Sequence, residues 1–292
     1  MSDVITLSIA SWDQPVATCD QALAVDALER GDVLLLPRLG FGLENDEQPF
    51  LSPNVSGKAK NVRLDPVSGS LRGASINDVD PTPLRNMMVR YARSSRSLLR
   101  NLLPDYGSGL AQARTSFRPT EIAGRAVSWR KDDSRLHVDS FPSSPTQGSR
   151  ILRVFSNINP GGQSRYWRLG EAFEGVARHY LASLRHPAWG ANHVLQSLGI
   201  TKRLRTPYDH YMLQLHDRMK ADSAYQTRVA QIDHAFPPGS TWIVFTDVVS
   251  HSAISGQHAL EQTYHLPVDS MRDQSKSPLR ILEALLERRL DS

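Results

Sequence analysis

The chain has a single cysteine, Cys19, among 292 residues. An internal disulfide is therefore impossible, and so is a zinc site built from thiolates. No apolar run approaches the roughly 18 residues that a membrane-spanning helix requires. The opening stretch MSDVITLSIASWDQ has no basic leader and places Asp3 and Asp13 around a short apolar segment. It reads poorly as a secretory signal, and a cytosolic location is expected. A His-Glu-x-x-His pair is absent, which argues against a zinc hydrolase of that kind. Internal repeats and long low-complexity tracts are also missing.

What is present is ordinary in bulk: 40% hydrophobic and 22% charged residues, enough apolar side chain to exclude wholesale disorder. The net charge of +4 is too small to indicate nucleic acid by itself. The arginines are clustered, however. Arg85, Arg90, Arg93, Arg96 and Arg100 lie on one predicted helix, and Arg280, Arg288 and Arg289 fall near the C-terminus. Anionic partners such as phosphorylated lipids or sugars are compatible with this clustering; a lipid-linked partner would imply peripheral contact with the cytoplasmic membrane face through these basic helices, and otherwise each reads as an ordinary solvated helix.

Patterning suggests a single domain over 1–292, with an irregular N-terminal extension and supporting helices (1–122), a strand-rich core with helical insertions (123–267) and a C-terminal helix (268–292). Helices are predicted at 22–30, 81–103 (Asp80 as N-cap), 170–184, 208–221 and 278–290. The apolar run 33–37 is expected as a short strand, and residues 40–80 read as long loops. Period-two strands are expected at 126–129, 136–139, 151–155 and 241–245, followed by a pair at 251–254 and 259–266 around Ser255-Gly256-Gln257. Trp129 and Trp242 are expected in the core. The fold class is mixed α+β, a double-stranded β-helix (a cupin-like jelly roll) wrapped by helices.

Chemistry concentrates in Arg135-Leu136-His137-Val138-Asp139. Residues two apart on a strand point to one side, so His137 and Asp139 can address one ion while Val138 turns away. A third ligand should come from a distant strand start, and His251 fits, lying between the 241–245 strand and the Ser255-Gly256 turn. Two imidazoles and one carboxylate with open coordination positions form the facial set of non-haem iron(II) oxygenases. The other histidines are less suited: His179 and His186 look like surface or packing residues, His210 and His216 like partly exposed helix residues. His258 and His265, near the hairpin, are candidates for supporting roles.

The blocks Arg135–Ser143, Gly148–Pro160 and Thr241–Ala253, continuing through Ser255-Gly256-Gln257 to Thr263, resemble the Kdo 3-hydroxylases, Kdo being 3-deoxy-D-manno-oct-2-ulosonic acid of the lipopolysaccharide inner core. The resemblance implies a jelly-roll dioxygenase that hydroxylates C3 of a Kdo residue in Kdo-lipid A, using Fe(II), 2-oxoglutarate and O2, with His137, Asp139 and His251 as catalytic metal ligands. In many members of the wider superfamily an arginine shortly after the distal histidine clamps the far carboxylate of 2-oxoglutarate. Here that window holds Gln262 and His265 instead. Another branch uses a basic residue on the strand after His-x-Asp with a hydroxyl three residues before the histidine, which implies Arg153 and Ser134; Arg150 is the weaker choice. Asn157, Asn159, Arg165 and Arg168 are expected at the substrate, or else at a turn and on the surface. Two other readings keep the same fold: a 2-oxoglutarate oxygenase for a protein side chain or small metabolite, and a non-catalytic jelly roll that binds glycolipid.

Overall fold

The computed structural model describes residues 1–57, 59–75, 80–125, 127–188, 192 and 196–290. In chain order it contains β1 (Val4–Thr6), α1 (Thr18–Arg30), β2 (Val33–Leu36), β3 (Val62–Leu64), β4 (Leu71–Arg72), α2 (Thr82–Leu102), β5 (Ala111–Arg118) and β6 (Arg150–Asn157). There follow β7 (Arg165–Ala172), α3 (Phe173–Tyr180), α4 (Pro207–Ala221), α5 (Ser223–Arg228), β8 (Ile232–Phe236), β9 (Thr241–Phe245), β10 (Val249–Ser255), β11 (Ala259–Leu266) and α6 (Pro278–Leu286).

The strands form two sheets: a larger one in the order β1-β2-β9-β6-β11-β5-β3-β4 and a smaller one in the order β10-β7-β8. Every pairing is antiparallel except β1 with β2. β6 and β9 lie in the middle of the larger sheet and are buried at every position; TWIVF is apolar almost throughout, whereas RILRVFSN alternates apolar pairs with buried polar and charged residues. Between the sheets, Trp242 stacks on Phe155 and Phe236, and Trp167 of the smaller sheet meets all three edge-on. This aromatic wedge joins the two layers as a jelly roll, so the expected mixed α+β fold is the one observed.

β11 shows how the larger sheet divides its labour. Leu260 faces the back, where Leu84, Met87, Met88 and Tyr91 of α2 cover it together with Phe117, Val62 and Leu64. Glu261, Thr263 and His265 alternate to the opposite face and line a cavity. The exposed arginines of α2 (Arg85, Arg93, Arg96 and Arg100) therefore lie on the far side of the sheet from that cavity. α2 starts one residue later than expected, with Pro81 and not Asp80 as its N-cap, although the Asp80 carboxylate still accepts from the Thr82 N–H at 2.9 Å.

Several expectations change. The residues before 123 are no separate extension, because β1 to β5 supply five of the eight strands of the larger sheet. No strand forms over 127–129: Trp129–Lys131 is a single 3-10 turn, and Ala126 lies outside the described residues. Trp129 is only half-buried, stacked under the Arg130 guanidinium, while Trp242 is fully buried. Residues 136–139 make one isolated bridge instead of a strand. The helix expected at 170–184 starts late, since β7 runs to Ala172 before α3 begins. β5 and β8 were not legible, because charged and polar residues interrupt their apolar rhythm.

Candidate metal centre

His137 and His251 meet across the isolated antiparallel bridge, each backbone N–H donating to the other's carbonyl at 3.0 and 2.9 Å. A pair that exchanges both hydrogen bonds sits directly opposite, so the imidazoles emerge side by side, ring centroids 4.7 Å apart. Two residues on, the Asp139 N–H donates to the Thr246 carbonyl at 2.8 Å, which fixes the carboxylate on the same side as His137. The three side chains offer ligand atoms that all lie within 4.8 Å of one another, the one such group among the described residues.

The protonation states suit a divalent cation. Nδ1 of His137 donates to the Arg135 carbonyl and Nδ1 of His251 to the Val249 carbonyl, both at 2.8 Å, and this leaves each Nε2 as a free lone pair. Burial depresses both imidazole pKa values, that of His137 most, with His251, Lys220 and His216 adding to the effect. Both rings are therefore neutral donors. For Asp139, burial pushes the carboxyl up, but the Arg153 guanidinium, His251 and a Thr246 hydrogen bond outweigh it and keep it ionised. Two neutral imidazoles and one carboxylate on one wall of a cavity fit a ferrous ion with its remaining positions open to that cavity.

Behind Asp139 runs a chain of alternating charges. Arg153 reaches Asp139 Oδ2 at 2.8 Å and Glu261 Oε1 at 2.9 Å. Arg118 donates to Glu261 through Nε at 2.8 Å and lies 3.7 Å from Asp133, which pairs with Lys60. Buried charges are tolerable when each has a partner, and here each one of these does. Arg165 is different. It is 2% exposed, donates to the Gly256 carbonyl at 3.1 Å, leaves Nε without a partner, and makes no ion pair among the described residues. Burial, with Arg118 close by, lowers its pKa to about 9.

These side chains line a cavity of about 370 Å³ with Phe141, Phe155 and Trp167 as its apolar walls, a volume suited to small ligands. Trp167 stacks on the His251 ring at 5.0 Å, and its indole N–H is buried with no acceptor. His216 lies beside the His137 ring, 5.3 Å between centroids, with both nitrogens buried and unpartnered. Burial and Lys220 hold its pKa near 4; the residue as a whole is half-buried on its helix, as expected, but its ring turns towards the ligand set.

Other expected residues fall elsewhere. Ser134 is exposed and donates to Asp132, too far round the loop to serve a co-substrate. Gln262 points to the back of the sheet, where its amide is taken by Thr115 and by the Ala113 and Thr263 carbonyls. Asn157 and Asn159 tie down their own turn: Asn157 donates to the Gln163 and Phe236 carbonyls, and the Asn159 oxygen accepts from the Gly161 N–H. Arg168 makes a two-pronged ion pair with Asp233 at the surface. Arg150 is fully buried against Asp247 and Phe245 and does not line the cavity. His265 does line it, whereas His258 does not. Lys60, Arg118, Asp133, Trp167, His216 and Glu261 were not anticipated. The hint available was parity: Arg118 with Ser116, and Glu261 with Thr263, are polar alternations inside otherwise buried strands.

A family model described as 3-deoxy-D-manno-oct-2-ulosonic acid (Kdo) hydroxylase matches residues 11–289. No protein with a curated description matches the chain. Among solved structures, the chain is similar to the Kdo hydroxylase KdoO, a non-heme Fe(II) alphaketoglutarate-dependent dioxygenase. The cobalt(II) complex superposes with a TM-score of 0.96 at 49% identity, covering 99% of this chain and 97% of that one. The complex with alphaketoglutarate and Fe(III) gives 0.95 at 48% identity, again over 99% and 97%. The apo form gives 0.96 at 48% over the same shares. With the fold, the His137–Asp139–His251 cluster and a family match over nearly its whole length, this chain belongs to the Kdo hydroxylase family.

Proposed function

We propose that this protein is an iron(II)- and 2-oxoglutarate-dependent dioxygenase that hydroxylates C3 of a Kdo residue carried on a lipopolysaccharide precursor. The observation that carries the reading is the convergence of His137, Asp139 and His251 on a cavity that also holds an unpaired, buried guanidinium. When bound, ferrous iron supplies, with dioxygen and the oxo acid, the oxidising chemistry that replaces a C–H bond by C–OH.

The chain's own residues supply position and environment. The Nδ1 hydrogen bonds to the Arg135 and Val249 carbonyls hold both imidazoles in the ligating tautomer. Arg153 fixes Asp139 and holds it ionised. Arg165 takes the far carboxylate of 2-oxoglutarate in place of the Arg153 expected from sequence, because Arg153 already serves two carboxylates and Arg165 serves none. Phe141, Phe155 and Trp167 keep bulk water from the reacting carbon. Among the described residues no helix is long and apolar enough to cross a membrane. Since the arginines of α2 lie behind the sheet, they lend little support to a membrane contact that would present the cavity to a lipid-linked sugar.

The test is incubation with Fe(II), 2-oxoglutarate and air together with a Kdo-bearing acceptor, read by mass spectrometry and by succinate. Addition of one oxygen atom to the sugar, stoichiometric with succinate, is the expected result. Succinate formation that leaves every Kdo acceptor unmodified overturns the assignment of substrate.

A further inference from the structure

Six cationic side chains line the cavity, Lys60, Arg63, Arg114, Arg118, Arg153 and Arg165, against the carboxylates Asp133, Asp139 and Glu261. The carboxylates are all engaged, by Lys60, Arg118 and Arg153. Arg165 lies in the interior, where the reading above gives it to the co-substrate. Arg63 and Arg114 remain at the mouth, and neither side chain makes an ion pair or hydrogen bond among the described residues.

Their placement makes the surplus sharper. Arg63 on β3 stands opposite Arg72 on β4 and opposite Ser116 on β5, while Arg114 and Arg118 flank Ser116 two residues away on the same face. Like charges facing one another across strands are destabilising. Arg72 has Asp65 nearby to offset it. Arg63 has instead Arg114 and Arg118, which add to its burial in lowering its pKa, with only the already paired Glu261 opposing. Further along the same sheet, on β11 next to β5, is His265, which burial keeps neutral and which feels Arg153, Arg203 and Arg114. A mouth arranged in this way attracts an anion that the protein does not provide.

We propose that Arg63 and Arg114 form an anion subsite at the mouth of the cavity, which holds a second acidic group of the acceptor, a phosphate or a carboxylate, away from the reacting sugar. The proposal rests on the hydroxylase reading and deepens it: the preferred acceptor is a Kdo unit attached to a further anionic group, not an isolated one. Each arginine can present a two-pronged face to either group, Arg114 from a half-buried position and Arg63 from a more exposed one.

The test compares three acceptors: a simple Kdo glycoside with one carboxylate, a Kdo glycoside bearing a second acidic sugar, and a Kdo glycoside bearing a phosphate monoester. kcat/KM is measured on each with the unsubstituted protein, Arg63→Gln, Arg114→Gln, the double variant, and Arg85→Gln as a control for bulk charge on the back of the sheet. Melting temperatures verify that all five are folded. The unsubstituted protein should favour at least one doubly anionic acceptor by roughly tenfold or more, the worth of one charge-assisted contact. The preferred arm identifies carboxylate or phosphate. In the double variant that preference should fall to near parity through KM, and in Arg85→Gln it should persist. Equal turnover of all three acceptors by the unsubstituted protein overturns the subsite and leaves the hydroxylase reading intact. So does a preference that survives the double substitution, or one that Arg85→Gln removes equally well. If no Kdo acceptor is oxidised at all, the hydroxylase reading fails and the subsite with it.

Discussion

His137 and His251 are joined by two reciprocal backbone hydrogen bonds, so the spacing of their imidazoles is set by main chain and not by the ion they would hold. The site is therefore preorganised, and removal of a ligand should abolish binding without unfolding the protein. His137→Ala is expected to lose the weak visible band that Fe(II) and 2-oxoglutarate give together under anaerobic conditions, while the backbone bridge and the far-ultraviolet dichroism persist. A variant that still develops the band would remove His137 from the ligand set.

Arg153 and Arg165 should respond oppositely to truncation. Removing Arg165 relieves a buried charge that has no carboxylate partner, so Arg165→Gln should melt no lower than the parent in the absence of co-substrate, yet require at least roughly tenfold more 2-oxoglutarate. Arg153→Ala strands Asp139 and leaves Glu261 short of a partner, and the handicap of such uncompensated buried charge is about 3–5 kcal/mol. Urea unfolding of the two apo variants separates them. If Arg165→Gln proved the less stable and bound 2-oxoglutarate normally, the assignment of the anchor would have to return to Arg153.

The difference between what could and could not be read in the sequence has a physical origin. β9 is legible because TWIVF is apolar almost throughout, and β6 because Ile151-Leu152 and Val154-Phe155 mark it despite Arg150 and Arg153; His137-x-Asp139 is legible because its geometry is local. β5 and β7 are not, because AQARTSFR and RYWRLGEA carry fewer apolar residues and are interrupted at several positions by polar or charged ones, Arg118 and Arg165 among them. Arg118 meets Glu261 only because β5 joins the edge of β11, a pairing 143 residues apart that no spacing rule announces. Ser134, implied by the resemblance alone, lies in an exposed turn where its hydroxyl donates to Asp132.

Gly256 offers a test of Arg165 that leaves its chemistry untouched. The residue has φ +110°, and a Cβ there would stand 2.9 Å from Arg165 Cα and 3.1 Å from its Cβ and Cγ. Backbone cannot yield as a flexible side-chain tip can, so Gly256→Ala should push β7 outward and displace the guanidinium. The expected outcome is a higher KM for 2-oxoglutarate and a lower melting temperature, with Fe(II) affinity largely retained because β10 still presents His251. Unchanged 2-oxoglutarate affinity in a variant of measurably lower stability would show that Arg165 does not act from this position.

Asp133 should make stability depend on pH in the acid range. Burial pushes its carboxyl upward, but Lys60, Arg118 and His137 outweigh that and hold it well below the usual aspartate range. A carboxylate whose folded pKa is depressed contributes stability that is fully present above the unfolded value of about 3.9 and is lost as pH falls towards the folded value. Substitution by the neutral isostere leaves Lys60 unpaired at every pH, so Asp133→Asn should be less stable than the parent near neutrality. The gap between the two should narrow once the pH drops below that unfolded value, because there the parent's unfolded chain gains a proton that its folded, still ionised Asp133 does not. Urea unfolding at a series of pH values reads this directly. A gap that stayed constant down to the acid limit of folding would mean that the stabilisation comes from packing or from the backbone contact between Asp133 and Ala253, and not from the charge.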